Sequence, residues 1–251
     1  MNKETAYRIF SLGDSAITVD FGNVIDETIN RQVMTLFYQF QKVPLPGMIE
    51  AVPAYSSLTV FYDLFYLRKF VAADKTVYQW MEEQLRKILQ EQLLINNPAV
   101  AKITIPVCYD KEFALDIEEI AGLKNISVDE VIRIHTSKTY RVNMLGFLPG
   151  FAYMGEVDEK IEIPRKLQPR QKVEAGSVGI AGKQTGIYPV SSPGGWQIIG
   201  RTPLKLFDAG KKEPTLLKAG DMVRFISITK NEFNNIQISS LITGEKLGGE
   251  I

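Results

Sequence analysis

The run Gly176-Ser177-Val178-Gly179-Ile180-Ala181-Gly182-Lys183-Gln184-Thr185-Gly186-Ile187-Tyr188-Pro189-Val190, followed after Ser191 by Ser192-Pro193-Gly194-Gly195-Trp196-Gln197-Ile198-Ile199-Gly200, decides the fold class of the second half of the chain. Residues 177–181, 186–190 and 196–200 are short apolar stretches, each bounded by glycine or proline, which is the pattern of strands joined by tight turns. Met222 to Thr229 repeats it. From Tyr140 onward there is almost no 3.6-residue periodicity, so an all-β sheet or barrel is expected there.

Toward the N-terminus the pattern becomes mixed. Tyr7 to Leu12 and Ala16 to Phe21 alternate apolar and polar residues around Gly13-Asp14 and predict a hairpin. Asp26 is a candidate N-cap for a helix carrying Ile29, Val33, Leu36, Phe37 and Phe40, stopped by Pro44 and Pro46. Ile49 to Ala54 and Leu58 to Tyr62 predict two more strands. After Asp74 a second amphipathic helix runs through Val77, Trp80, Met81, Leu85, Ile88 and Leu89. Asn96-Asn97-Pro98 ends that unit, because proline cannot continue the helix. Beyond it, Ile103 to Tyr109 reads as a strand, and Ser127 with Glu130 has the form of a capping box for a helix through Val131 and Ile134. The expected class is α+β, with an N-terminal α+β domain over residues 1–97 and a β domain over 98–251, the last four residues being a frayed tail.

Composition narrows the function classes. Lys+Arg and Asp+Glu are equal at 29 each, so no net field draws the chain to nucleic acid or an anionic membrane. No apolar segment reaches the roughly 18 residues needed to span a bilayer, and the first residues have no signal-peptide pattern, so a cytoplasmic location is expected. Cys108 and His135 are the only residues of their types, which excludes disulfide frameworks and Cys/His zinc sites within one chain, and no metal site is expected. Cys108 reads as a buried strand residue.

Three clusters carry candidate chemistry. Gly146-Phe147-Leu148-Pro149-Gly150-Phe151-Ala152-Tyr153 is either a slot with exposed backbone and aromatic walls or a glycine-rich turn over core aromatics. Pro164-Arg165-Lys166-Leu167-Gln168-Pro169-Arg170-Gln171-Lys172 puts four cations on a proline-stiffened segment, suited to carboxylate or phosphate, or else simply solvated. Residues 176–186 approach a P-loop but have Ser177 where glycine is required and Gln184 where Ser or Thr is required, and no helix pattern follows. A Walker-type nucleotide fold is therefore rejected, while a backbone anion nest stays open. His135 falls at the end of the Ser127 helix, where the helix dipole favours a protonated ring; it is either an acid/base or a structural histidine.

The order of these clusters carries a resemblance that none has alone: His135-Thr136, Gly146 to Tyr153, Pro164-Arg165, Pro169-Arg170, Gly176 to Ile180, Gln184 to Pro189, and Ser192 to Pro203. The string resembles the allophanate hydrolase subunit 1 family, which includes the B-type subunits of bacterial 5-oxoprolinases and the sporulation kinase inhibitor KipI. Tyr7 to Ala16 and Tyr55 to Leu58 also look like that family, so the likeness spans nearly the whole chain.

The resemblance implies a small N-terminal α/β sandwich domain and a C-terminal cyclophilin-like β-barrel. It implies partners: a C-type subunit (KipA-like, allophanate hydrolase subunit 2) and an A-type subunit of the LamB/YcsF kind, together converting 5-oxo-L-proline to L-glutamate with consumption of ATP, with Mg2+ carried by the nucleotide. The alternative it implies is a KipI-like inhibitor that binds a sensor histidine kinase. Prolyl isomerase activity is suggested by the barrel alone, and fold does not carry function. Phosphate transfer to an unstrained lactam concentrates negative charge, so cations and N–H donors are needed. For the hydrolase, the expected catalytic residues are His135, Arg165 and Arg170. The expected substrate or nucleotide contacts are Pro149, Gly150, Gly176, Ser177, Lys183, Gln184, Tyr188, Gly194, Gly195, Trp196 and Arg201.

Overall fold

A computed structural model describes residues 7–90 and 100–243. The chain divides into two compact units, Met1–Ala99 and Val100–Ile251. The Asn96-Asn97-Pro98 turn and the expected tail lie outside the described residues.

In the first unit, β1 (Arg8–Ser11), β2 (Ala16–Asp20), α1 (Glu27–Lys42), β3 (Met48–Pro53), β4 (Ser57–Tyr62), α2 (Leu64–Arg68) and α3 (Val77–Gln90) follow in order. The strands form one antiparallel sheet, β1-β2-β4-β3. Ile17, Val19, Leu58 and Val60 meet Val33, Leu36 and Phe40 of α1 and Met81 and Leu85 of α3 in one apolar core, so the helices layer onto the sheet. Asp26 caps α1 by accepting from the Ile29 amide at 2.9 Å. The helix α3 opens with a reciprocal box: Thr76 Oγ1 accepts from the Gln79 amide, and Gln79 Oε1 accepts from the Thr76 amide.

The second unit runs β5 (Lys102–Cys108), α4 (Ile117–Lys124), α5 (Val128–Ser137), β6 (Thr139–Leu145), β7 (Ala152–Gly155), β8 (Arg170–Val173), β9 (Ser177–Ala181), β10 (Gln184–Ile187), β11 (Ser192–Gly194), β12 (Gln197–Arg201), β13 (Met222–Ile228) and α6 (Lys230–Thr243). Seven strands close a barrel in the order β10-β7-β6-β13-β5-β12-β9, and β8 pairs with β11 beside it. Closure leaves no free sheet edge in the barrel. The barrel pair β13–β5 is parallel, its register running from Met222↔Lys102 to Ile228↔Cys108. Ile105, Val107, Val142, Met154, Ile180, Ile199 and Phe225 fill the core, with Val131 and Ile134 of α5 packed on it.

The all-β expectation after Tyr140 is corrected by α6. Its apolar content is thin, so no stripe announces it, yet Thr229 and Glu232 form its capping box: Glu232 Oε2 accepts from the Thr229 amide at 2.7 Å, and Thr229 Oγ1 accepts from the Glu232 amide. Phe233 is buried and stacks on Phe113, which ties the helix down. At Ser127 only half of the expected box forms. The serine caps the Glu130 amide, but the Glu130 carboxylate turns to Arg133. Among the described residues no helix is long and apolar enough to cross a membrane.

Candidate functional site

The structure places His135 in the interior. It is fully buried near the end of α5, stacked on Phe225 at 4.5 Å between ring centroids. Its Nε2 lies 3.0 Å from Thr185 Oγ1 and its Nδ1 lies 2.8 Å from the Tyr109 hydroxyl. Thr185 donates its own proton to the Gly179 carbonyl, so it must accept from His135, which fixes the Nε2–H tautomer and makes Nδ1 the acceptor for Tyr109. Burial lowers the ring pKa to about 3, so it is neutral at physiological pH. The protonated ring expected from the helix dipole is corrected: desolvation outweighs a dipole worth at most about 2 kcal/mol.

The glycine-rich turn is likewise occupied. Gly176 donates to the Tyr188 carbonyl, Ser177 to Glu174 and Gly182 to Ile163, while Gln184 pairs across the β9–β10 hairpin with Ala181. These amides are not free to form an anion nest. Gly176 is glycine for two reasons: its φ is +83°, and a Cβ there would run into the Thr202 carbonyl. Lys183 is exposed at the hairpin turn.

Aromatic rings form a small separate core. Phe151, Tyr188 and Trp196 are buried together, Phe151 meeting Tyr188 at 5.2 Å and Trp196 at 5.3 Å, both edge-on. Tyr153 packs on Phe151 and Trp196 and is only partly buried. Gly194 makes room for this cluster, because a Cβ would collide with the Tyr188 hydroxyl. Phe147 stands at the cluster's edge, 66% exposed, at φ +66° and edge-on to Phe151. The loop carrying it, with Pro149 and Gly150, is closed by the Gly146 amide donating to Phe151 and the Phe151 amide donating to Leu148.

Over Trp196 lies the Arg165 guanidinium, 5.9 Å from the ring centroid. Its charge is felt at the Tyr153 and Tyr188 hydroxyls, where it opposes the upward push of burial on both pKa values. Arg165 is exposed, and among the described residues it pairs with no carboxylate. The other cations of its segment are committed. Asp116, 2% exposed, takes Arg170 Nη2 at 2.5 Å and Lys166 Nζ at 2.9 Å, and Lys166 also reaches Glu119 at 3.2 Å. Lys172 pairs with Glu174. Arg201 lies in other company: its Nε donates to the Ala175 carbonyl and its guanidinium covers Phe113.

The structure thus gathers Arg165, Trp196, Tyr188, Gly194 and, through Lys166, Gly195, whose carbonyl accepts from the Lys166 amide at 2.7 Å. Tyr153, from the Gly146 to Tyr153 cluster, and Asp116 belong to this arrangement, and the sequence alone does not single out Asp116. Asp116 has one local signal, an aspartate just before Ile117-Glu118-Glu119, the form of a helix start.

Residues 7–217 match the carboxyltransferase domain, subdomain C and D, family. The chain is similar to the 5-oxoprolinase B subunit of Bacillus subtilis (strain 168), 46% identical over 233 residues that cover 91% of this chain and 95% of that protein. It is similar to the 5-oxoprolinase B subunit of Escherichia coli O157:H7 at 36% identity over 223 residues, 87% of this chain and 95% of that one. Among solved structures it is similar to TTHA0988, with a TM-score of 0.72 at 34% identity over 85% of this chain and 40% of that longer chain.

Proposed function

The chain belongs to the family of 5-oxoprolinase B subunits, within the carboxyltransferase subdomain C and D group, and from that membership we propose that it is the B-type component of an ATP-dependent 5-oxoprolinase that takes 5-oxo-L-proline to L-glutamate. The observation that carries the site is Arg165: an exposed guanidinium seated on Trp196, its charge felt at the Tyr153 hydroxyl, and in no ion pair among the described residues. 5-Oxoproline offers one carboxylate and a small, flat lactam ring whose methylene edge is apolar. The guanidinium fork suits the carboxylate, and Trp196, Tyr153 and the exposed face of Phe147 suit the ring.

The same residues fit ATP poorly. A triphosphate with its magnesium asks for several free cations, whereas Lys166 and Arg170 are already neutralised by Asp116 and Glu119. The nucleotide's phosphates are therefore assigned to cations of a partner surface, with magnesium arriving on the nucleotide, and the chain acts only in complex with the KipA-like and LamB/YcsF-type subunits in the cytoplasm. The likeness to 40% of the longer TTHA0988 chain supports a working unit larger than this one. The chain's own residues bind and orient the substrate and keep it against an apolar wall; with His135 neutral and buried, no acid/base step is given to it.

The test is co-expression with the KipA-like and LamB/YcsF-type subunits and an assay of ATP-dependent glutamate release from 5-oxoproline. In that complex Arg165→Met is expected to lower kcat/KM by about 10- to 100-fold, the range for losing a charge-assisted contact of roughly 1.5–3 kcal/mol. An unchanged kcat/KM overturns the site. If no combination of subunits turns over 5-oxoproline, the enzymatic reading gives way to kinase inhibition.

A further inference from the structure

Residues 164–169 belong to no regular element, yet they carry Arg165, which is in no ion pair among the described residues. Such a segment is normally the mobile part of a surface. Here a set of hydrogen bonds holds it in place, with Lys166 Nζ also reaching Gln197 Oε1 at 3.3 Å and Glu119 Oε2 at 3.2 Å. The Pro164 carbonyl accepts from Gln197 Nε2 at 3.3 Å, and the Lys166 amide donates to the Gly195 carbonyl at 2.7 Å. Lys166 Nζ and Arg170 Nη2 both end on Asp116 Oδ1.

Asp116 is built for that task. It stands at the N-cap position of α4 but makes no side-chain cap to that helix. Its carboxylate turns to β12 instead: Oδ2 accepts from the Ile198 amide at 2.6 Å, and the Asp116 amide returns a bond to the Ile198 carbonyl at 2.8 Å. Burial alone would raise its pKa, but the bonds from Arg170, Ile198 and Lys166 outweigh it, so the group is held ionised. A buried charge is kept only when it is paired and hydrogen-bonded, and removing one partner leaves the other uncompensated. The carboxylate therefore commits the segment to one position on the strand that follows Trp196.

We propose that Asp116 is the positioning residue of the site, clamping residues 164–170 onto β12 so that Arg165 lies over Trp196 and faces the substrate. Its role in turnover rests on the 5-oxoprolinase reading; the clamp itself does not. Asp116 touches no substrate. It acts through Lys166, Arg170 and the chain between them. Removing the charge releases Arg170 and leaves Lys166 only Glu119 and Gln197, so Arg165 samples more positions, which weakens capture of the carboxylate without changing the chemistry that follows.

The experiment compares wild type, Asp116→Asn and Glu119→Gln. Within the complex, Asp116→Asn is expected to raise KM for 5-oxoproline about tenfold with kcat within about twofold, the pattern for lost binding that is shared by ground and transition states. In the free, folded chain, trypsin is expected to cut after Arg165, Lys166 or Arg170 at least about tenfold faster than in wild type, with circular dichroism unchanged, because cutting tracks the open population of the segment. Glu119→Gln removes only the exposed partner of Lys166 and is expected to leave both readings at wild type. A folded Asp116→Asn with wild-type KM and wild-type cutting overturns the proposal, and so does a fall in kcat with no change in cutting.

If Asp116→Asn does not fold, Lys166→Met replaces it, since Asp116 then keeps Arg170 and Ile198. A rise in KM of roughly three- to fivefold with faster cutting after Arg165 supports the clamp, and wild-type values for both refute it. Should the wild-type complex fail to hydrolyse 5-oxoproline, the functional reading fails, while trypsin still decides the clamp.

Discussion

His135 is the chain's only histidine, so its titration can be isolated. In the folded chain its pKa is about 3; in the unfolded chain it is about 6.5. The folded value is the depressed one, so the ring's contribution to stability is complete above about pH 6.5 and is lost as pH falls toward 3. Between those two values the unfolded chain binds a proton that the folded chain refuses, at about 1.4 kcal/mol per pH unit. Between about pH 7 and pH 4.5 this amounts to roughly 2.5 kcal/mol.

Asp221, whose carboxyl burial pushes up, and the carboxylates held low by cations respond to pH in the same interval and below it, but alike in a His135→Gln variant. The difference between the two proteins therefore reads His135 alone. Urea unfolding would be followed through Trp196 in a Trp80→Phe background, since Trp196 lies in the unit that holds His135. The variant is expected to be weaker at about pH 7, having lost the Tyr109 bond and the Phe225 stack. Its loss from about pH 7 to 4.5 should be about 2.5 kcal/mol smaller than in wild type. Ring nitrogen shifts should show the Nε2–H tautomer throughout. Parallel pH dependences, or a ring that titrates near its ordinary value of about 6.5, would refute a neutral buried histidine and return His135 to the list of acid/base groups.

Gly176→Ala faces both a positive φ and the Thr202 carbonyl, so a stability loss of about 2–4 kcal/mol is expected in denaturant titrations, and a loss under about 0.5 kcal/mol would contradict the close approach. Gly194→Ala drives Tyr188 off Phe151 and Trp196; the expected signs are a red shift of Trp196 emission and a raised KM for 5-oxoproline in the complex, with unchanged emission counting against a tight cluster. Ser127→Ala removes the α5 cap and should cost about 1 kcal/mol, whereas Glu130→Gln should leave stability near wild type because its carboxylate is turned to Arg133.

How far the molecule can be read from its sequence depends on the range over which each feature is decided. The hairpin β1–β2, the Asp26 cap on α1, the Ser127 cap on α5 and the strand β9 are settled by neighbours within a few residues, and those patterns are visible in the chain. The helices α2 and α4 are local too, but at five and eight residues they are too short for periodicity to stand out; the longer α6 lacks an apolar stripe and has a readable start at Thr229 and Glu232 that counts only when caps are sought without periodicity. Sequence reasoning places His135 correctly on its helix and gives it the wrong charge, because the helix end is local while full burial depends on Tyr109, Tyr140, Thr185 and Phe225, drawn from four other segments.

The basic segment makes the strongest case. Four cations within eight residues look like an open array for phosphate, and nothing nearby in sequence says otherwise. The counter-charge arrives from Asp116, 50 residues before Lys166 and 54 before Arg170, and it is buried by β12, 82 residues on from it. A surface ion pair would alter that array little, since exposed pairs contribute only about 0–1 kcal/mol. A buried carboxylate differs, because leaving it unpaired costs about 3–5 kcal/mol, so it takes both cations out of use. What remains is Lys172, in an exposed pair with Glu174, and one guanidinium over one indole. On the function proposed above, that guanidinium takes the single carboxylate of the substrate, and the phosphates of the nucleotide are left to the surfaces of a partner.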